Sequence, residues 1–286
     1  MTDAPSPPTL DERDQVARAN ASGKPAVVFI HGLFLLASSW DPWRNFFEAN
    51  GYSTVAPSWP GDPATVEEGR RRPELFAGTT IGQVTEHVKA VIQGLSTKPA
   101  LVGHSMGGLV AQQLAGQGLA CVSVPIDPAP FRGVLPVPFS ALKVFSGVLR
   151  NPTNRRRAVM LSYDQFRYGF ANAVDEGEAR QLYDEFLVPG PGAPIFQAAF
   201  ANLNPRTDAK VNTLSPSRGP MKFISGERDH AIPWAMVNGA FKRQRRGFGV
   251  TEIEEISGRG HSLILDSGWA EVAEVAKVFI DEARRG

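Results

Sequence analysis

The residues best placed to do chemistry are Gly103-His104-Ser105-Met106-Gly107, a GxSxG run between the apolar stretch Pro99-Ala100-Leu101-Val102 and the helical pattern from Leu109 to Ala115. A serine where a strand turns sharply into a helix is forced into a strained backbone conformation that lifts its hydroxyl clear of the sheet. Side chains at Gly103 and Gly107 would collide with neighbouring backbone, which is why the spacing demands glycine. The next amide, that of Met106, points from a helix N-terminus, where unpaired N–H groups and the helix dipole favour a developing oxyanion. The chemistry on offer is nucleophilic attack on a carbonyl.

A serine hydroxyl needs a base, and the base needs an orienting acid. His261 lies in the glycine-rich stretch Gly258-Arg259-Gly260-His261-Ser262, and Asp229 ends Ser225-Gly226-Glu227-Arg228-Asp229 after the apolar run from Met221. Both follow predicted strands, at the ends where open parallel sheets gather ligands and chemistry. Asp127, after the run Val122 to Ile126, is the alternative acid, with Glu227 third; Asp229 is favoured. Upstream, Pro25 to Ile30 reads as a buried strand leading into His31-Gly32-Leu33-Phe34, where Leu33 or Phe34 could supply a second oxyanion amide. His31 is expected to brace that loop, and His87 to face solvent from a surface helix. His104 could line the site but is too confined within the turn to act as base, and His230 shares the loop of Asp229. No HxxxH or HExxH spacing occurs, which argues against a metal site.

Taken together, His31-Gly32, the turn around Ser105, Ser225 to Asp229 and Gly260-His261 resemble the α/β-hydrolase superfamily, in particular its capped esterase, lactonase and lysophospholipase-like branch. The likeness runs from about Lys24 to the C-terminus, and the order nucleophile, acid, histidine is the superfamily's own. The resemblance implies a triad of Ser105, Asp229 and His261, an oxyanion hole from Met106 with Leu33 or Phe34, and hydrolysis of a small, largely apolar ester or lactone without a cofactor. A serine nucleophile sets the chain apart from the epoxide hydrolases and haloalkane dehalogenases of this fold, which use aspartate. A carbon-carbon bond hydrolase, amidase or perhydrolase shares the same triad and stays open, as does a hydrolase-fold ligand receptor with little turnover. The scaffold alone does not select among these.

The elements that must position these residues follow from periodicity. Strand runs alternate with helical patterns, such as Ile81, Val84, Val88 and Val91 behind the Thr80/Gln83 capping box, which predicts an α/β fold: a mostly parallel sheet with helices on both faces. Residues 24–132 and 217–286 form the predicted core. Between them, residues 133–216 lose the strand signal and show helical patterns rich in aromatics, which reads as a helical cap inserted over the site. Its Phe145 and Phe166, with Phe34, Trp59, His104 and Trp234 beside the catalytic loops, are the expected substrate pocket. Residues 1–23 are expected to form a mobile arm or a short hairpin.

Composition narrows the remaining options. A chain of 286 residues with 42% hydrophobic content can bury a large core as one domain with an insertion. A net charge of +1 gives no bulk attraction for nucleic acid or an anionic surface. The cluster Lys242-Arg243-Gln244-Arg245-Arg246 reads as a solvated helix end, where cations offset the dipole. Cys121 is the single cysteine, so neither an internal disulfide nor a cysteine metal site is possible. The opening Met1 to Pro8 lacks a secretory pattern, and no apolar run is long enough to span a bilayer, so a cytoplasmic location with no membrane insertion is expected. Oligomeric state is not legible.

Overall fold

The computed structural model describes residues 6–135 and 138–285. Its strands are β1 (Ala26–Ile30), β2 (Ser53–Val55), β3 (Ala100–His104), β4 (Val122–Ile126), the two-residue β5 (Ala158–Val159) and β6 (Gly190–Pro191), β7 (Met221–Gly226) and β8 (Thr251–Ile256). Six of them form one sheet in the order β2-β1-β3-β4-β7-β8, and every pairing within it is parallel. The helices are α1 (Leu10–Ser22), α2 (Asp41–Ala49), α3 (Val66–Arg71), α4 (Ile81–Gln93), α5 (Met106–Gly116), α6 (Phe139–Leu149), α7 (Tyr163–Gly169), α8 (Glu176–Phe186), α9 (Ala193–Ala199), α10 (Trp234–Gln244) and α11 (Trp269–Arg285).

Side chains alternate across the strands, and each face of the sheet has its own core. Val28 and Ile30 face a core with Val84 and Val88 of α4, Leu109 of α5 and Val237 of α10. Val27 and Phe29 face the opposite core, with Trp43 and Phe47 of α2 and Val272, Ala276 and Phe279 of α11. Strands covered on both sides read as unbroken apolar runs, as β1 and β3 do. Asp41 does not cap α2 as its position before Pro42 suggests; it is the first helical residue, and Trp40 takes the cap position without a side-chain bond.

The N-terminal segment departs from expectation. Its first five residues lie outside the described ones, but from Leu10 it is a helix, opened by a reciprocal capping box between Thr9 and Glu12 and closed by Gly23 in the left-handed conformation. It is anchored to the sheet: Gln15 accepts from the Ala56 amide at 2.9 Å, and Glu12 from Ser58 at 3.0 Å and from His87 at 2.9 Å. Consequently His87, expected at the surface, is buried beneath α1.

Helices α6 to α9 lie between β4 and β7, where the sequence pattern turned helical. Ser162 and Gln165 form the capping box that opens α7, while Asp175 caps α8 on one side only, because the Glu178 carboxylate turns away to the Ser267 amide. The segment is tied down by Arg70, which donates to the Leu187 carbonyl at 2.9 Å, and by the Val188 amide, which donates to the Phe34 carbonyl at 3.0 Å. The basic run at residues 242–246 closes α10, as its position before Gly247 suggests. No helix among the described residues is long and apolar enough to cross a membrane.

Candidate active site

Ser105 sits between β3 and α5 with φ 54° and ψ −117°. The conformation is imposed by its surroundings. A Cβ on Gly107 would lie 2.0 Å from the Ile30 carbonyl oxygen, and one on Gly103 2.3 Å from that of Gly107, so strand, helix and the end of β1 meet through bare backbone. The Ser105 amide donates to Ile126 O at 2.9 Å and its carbonyl accepts from Gly108, leaving the side chain directed away from the sheet.

His261 follows β8 on its loop. Its Nε2 is 3.0 Å from Ser105 Oγ, and its Nδ1 is 2.6 Å from Asp229 Oδ2. Asp229 accepts on its other oxygen from the Ala231 and Ile232 amides at 2.7 and 2.8 Å. Three donors thus converge on that carboxylate, and an acceptor on the Nδ1 side places the imidazole proton there and leaves the Nε2 lone pair facing the serine hydroxyl. The sequence-predicted Ser105, His261 and Asp229 are therefore brought into one hydrogen-bonded chain. Glu227 is not part of it: its carboxylate is exposed and accepts from Ser257 and Gly258.

Asp127 lies directly beside this chain. It is wholly buried at the end of β4, with φ 38°, and accepts from the Gly226 amide at 3.0 Å. A carboxylate oxygen of Asp127, one of Asp229 and a ring nitrogen of His261 all lie within 4.8 Å of one another. These groups could in principle hold a cation, but Asp229 Oδ1 is occupied by two amides and the Asp229–His261 bond would have to break to receive one.

His104 is tucked behind His261, ring centroids 4.6 Å apart, and its Nε2–H donates to the His261 carbonyl at 3.0 Å. Burial, then the charge that His261 could carry, holds His104 well below its usual pKa, so it remains a neutral prop for the histidine loop. His31 donates through Nδ1 to the Gly32 carbonyl at 2.9 Å and stacks on Trp59 at 5.2 Å, bracing the loop before Leu33. Phe34 takes φ 68°, and neither its amide nor those of Leu33 and Met106 finds a protein acceptor among the described residues. His230 donates to Tyr168 O at 2.9 Å, away from the serine.

Above Ser105 is a cavity of about 130 Å³. It is lined by Leu33, Phe34 and Met106, by Leu142, Phe145 and Leu149 of α6 and Ile195 of α9, and by Phe131, Phe170, Ile232 and Met236 among others; Ser105 and Asn202 are its polar members. Of the expected pocket residues, Phe34 and Phe145 are there and four are not. Trp59 packs on His31, and His104 lies behind His261. Phe166 is one layer back, stacked on Phe170 at 5.7 Å, and half-buried Trp234 starts α10 on another side from Met236, since two residues turn a helix by about 200°. Phe170, which touches His261 edge-on at 4.8 Å, is a lining residue that no periodicity distinguishes among the ten aromatics of residues 133–216.

With this geometry in hand, comparison with known proteins is decisive at the level of family. The model of the alpha/beta hydrolase family matches residues 27–275. The chain belongs to the alpha/beta hydrolase family. Among solved structures, it is similar to an extracellular alpha/beta-hydrolase from a Paenibacillus species (23% identity, 88% of this chain and 97% of that one, TM-score 0.64). It is also similar to a monoacylglycerol lipase of Paleococcus ferrophilus (19%, 91% and 95%, 0.61) and to a thermophilic esterase from Thermogutta terrifontis (17%, 91% and 90%, 0.59). No curated protein matches the chain.

Proposed function

We propose that this alpha/beta hydrolase is a serine esterase acting on carboxylic esters or lactones with a small apolar acyl or ring portion. The observation that carries the reading is the hydrogen-bonded chain Asp229–His261–Ser105, with links of 2.6 and 3.0 Å, opening into an apolar cavity. His261 Nε2 takes the Ser105 proton as Oγ attacks the ester carbonyl, and the imidazolium is stabilised by Asp229. The tetrahedral oxyanion is held by the Met106 amide and that of Leu33 or Phe34. Collapse expels the alcohol, which leaves with the proton from His261; water then attacks the acyl-enzyme by the same route in reverse roles. No step calls for a cofactor.

The cavity sets the substrate size. Its volume of about 130 Å³ is close to the roughly 150 Å³ apolar cavity that admits benzene, so it suits one ring or a chain of a few carbons. Helices α6 and α9 act as the walls of a cap in this reading. Neighbours named as esterases and lipases are in keeping with ester chemistry. The test is Ser105→Ala: hydrolysis of 4-nitrophenyl butyrate and labelling by a fluorophosphonate should both vanish while circular dichroism is unchanged. Labelling that persists in the folded variant would refute the assignment.

A further inference from the structure

Two carboxyl groups are buried beside one histidine. Asp127 and Asp229 end adjacent strands, β4 and β7, and the chain keeps both although one suffices to orient an imidazole. Like charges this close do not both ionise in a site with no compensating cation, and among the described residues the ion pairs of Asp127 and Asp229 comprise only Asp229 with His261. The donors decide which group gives way. Asp229 receives three hydrogen bonds, whereas Asp127 receives the Gly226 amide, with the Ser225 hydroxyl beside it, and its buried Oδ2 lacks a well-formed donor.

We propose that Asp127 carries a proton at neutral pH and donates it to Asp229, so that an acid and a carboxylate share one proton beside His261 and Asp127 is a positioning residue for the imidazole. Burial first, then the neighbouring Asp229 carboxylate, push Asp127 well above the usual carboxylate range against the opposing Gly226 amide and Ser225 hydroxyl, in the same direction as the geometry. The shared proton fixes the Asp229 carboxylate from a third side and spreads its charge. It also accounts for the Asp127 backbone: a φ of 38° is uncommon outside glycine and is kept where it aims a side chain at the reacting groups.

The surroundings contain little else that titrates. His261 faces the pair directly, and His104 stands neutral behind it. Ser225 adds a hydroxyl next to Asp127. Glu227 and Arg228 are exposed on the adjoining loop, Arg259 is paired with Asp266, and His230 is bonded to Tyr168.

The effect on turnover rests on the serine-hydrolase reading, but the proton does not, and two measurements separate them. In infrared spectra at pH 7, wild type minus Asp127→Asn should show the C=O stretch of a protonated carboxylic acid. Absence of that band would overturn the proposal whether or not any ester is hydrolysed. The kinetic arm uses 4-nitrophenyl butyrate. Asparagine can accept from Gly226 and donate to Asp229, so Asp127→Asn should keep kcat within about threefold of wild type with the acid limb of the pH profile unmoved. Asp127→Ala loses the donor and concentrates charge on Asp229, next to the imidazole. Its kcat should fall about tenfold or more with KM little changed, and its acid limb should move to higher pH. An ionised Asp127 predicts the reverse: either substitution removes a negative charge and moves the limb down by about one unit or more, which would overturn the proposal. If the alanine variant does not fold, the asparagine limb and the infrared band still decide it.

Discussion

Asp229→Asn should be close to inactive, and the structure says why in terms of one proton. The Ala231 and Ile232 amides both donate to Oδ1, so the asparagine oxygen must occupy that position and its NH2 group the place of Oδ2. That puts a donor 2.6 Å from His261 Nδ1, where wild type has an acceptor. The ring escapes the donor–donor contact only by moving its proton to Nε2, and then it presents N–H, not a lone pair, to Ser105 Oγ. A triad histidine in the wrong tautomer costs on the order of ten-thousand-fold in kcat, equivalent to about 5.4 kcal/mol of barrier. The assay is kcat for 4-nitrophenyl butyrate at pH 7, with the fluorophosphonate labelling rate as a second readout and thermal melting as a fold control. A loss under about tenfold, or a greater loss in Asp127→Asn than in Asp229→Asn, would refute the tautomer argument and move the orienting role to β4.

Other outcomes follow from particular contacts. Phe145→Ala opens the cavity wall and should shift acyl-chain preference toward longer esters while Ser105 labelling persists. Phe166→Ala, a layer behind, should instead cost stability of about 3 kcal/mol or more, read by denaturant titration, with chain preference kept. Gly107→Ala drives a Cβ to 2.0 Å from the Ile30 oxygen and should destabilise by about 3 kcal/mol or more or prevent folding; a soluble, wild-type-like melt would contradict the close packing of the turn. The Glu12–His87 pair should make stability pH-dependent. Burial opposes both charges, but their mutual bond prevails, lowering Glu12 below its ordinary 4.5 and raising His87 above its ordinary 6.5. The Glu12 contribution is therefore present above 4.5 and lost as pH falls through its lowered value, and that of His87 is present below 6.5 and lost as pH rises through its raised value. Glu12→Gln should flatten this dependence and cost about 1–3 kcal/mol near pH 5.5; a melting profile identical to wild type across that range would rule it out.

The parts of the site that local backbone geometry dictates were legible. Gly103, Ser105 and Gly107 carry their reason in their own types, because only glycine fits the approach of strand to helix, and the apolar runs on either side identify the elements that meet there. The helices of the inserted segment were legible from their caps and periods. Cavity membership was not. Phe166 and Phe170 occupy the same helical stretch, yet one lines the cavity and the other backs it, and the difference arises from how α7 is packed, which no periodicity within a seven-residue helix records. Trp59, His104 and Trp234 are close in sequence to the loops of the site, yet Trp59 packs on His31, His104 props His261, and Trp234 stays outside the cavity lining. The Thr9/Glu12 capping box is a local signal for α1 that a reading of residues 1–23 as a mobile arm or short hairpin leaves unused, and the burial of His87 depends on α1.

The strained positions tie these observations together. Among the described residues, the non-glycine ones with positive φ are Phe34, Ser105 and Asp127. They come from three separate strand ends, β1, β3 and β4, and all three meet around His261 and the floor of the cavity. Each such conformation costs of order 1–3 kcal/mol and survives only where the surrounding structure over-determines it. Here that structure is the doubly covered parallel sheet, whose two cores hold the strands rigid while their C-terminal ends take up conformations the chain would not choose alone. Strain at Ser105 presents the hydroxyl, and at Phe34 it turns the loop that bares the Leu33 and Phe34 amides. The same logic assigns Asp127 to the working site and not to the scaffold: a buried carboxyl in a costly backbone conformation, next to a carboxylate, is placed where its proton has an acceptor.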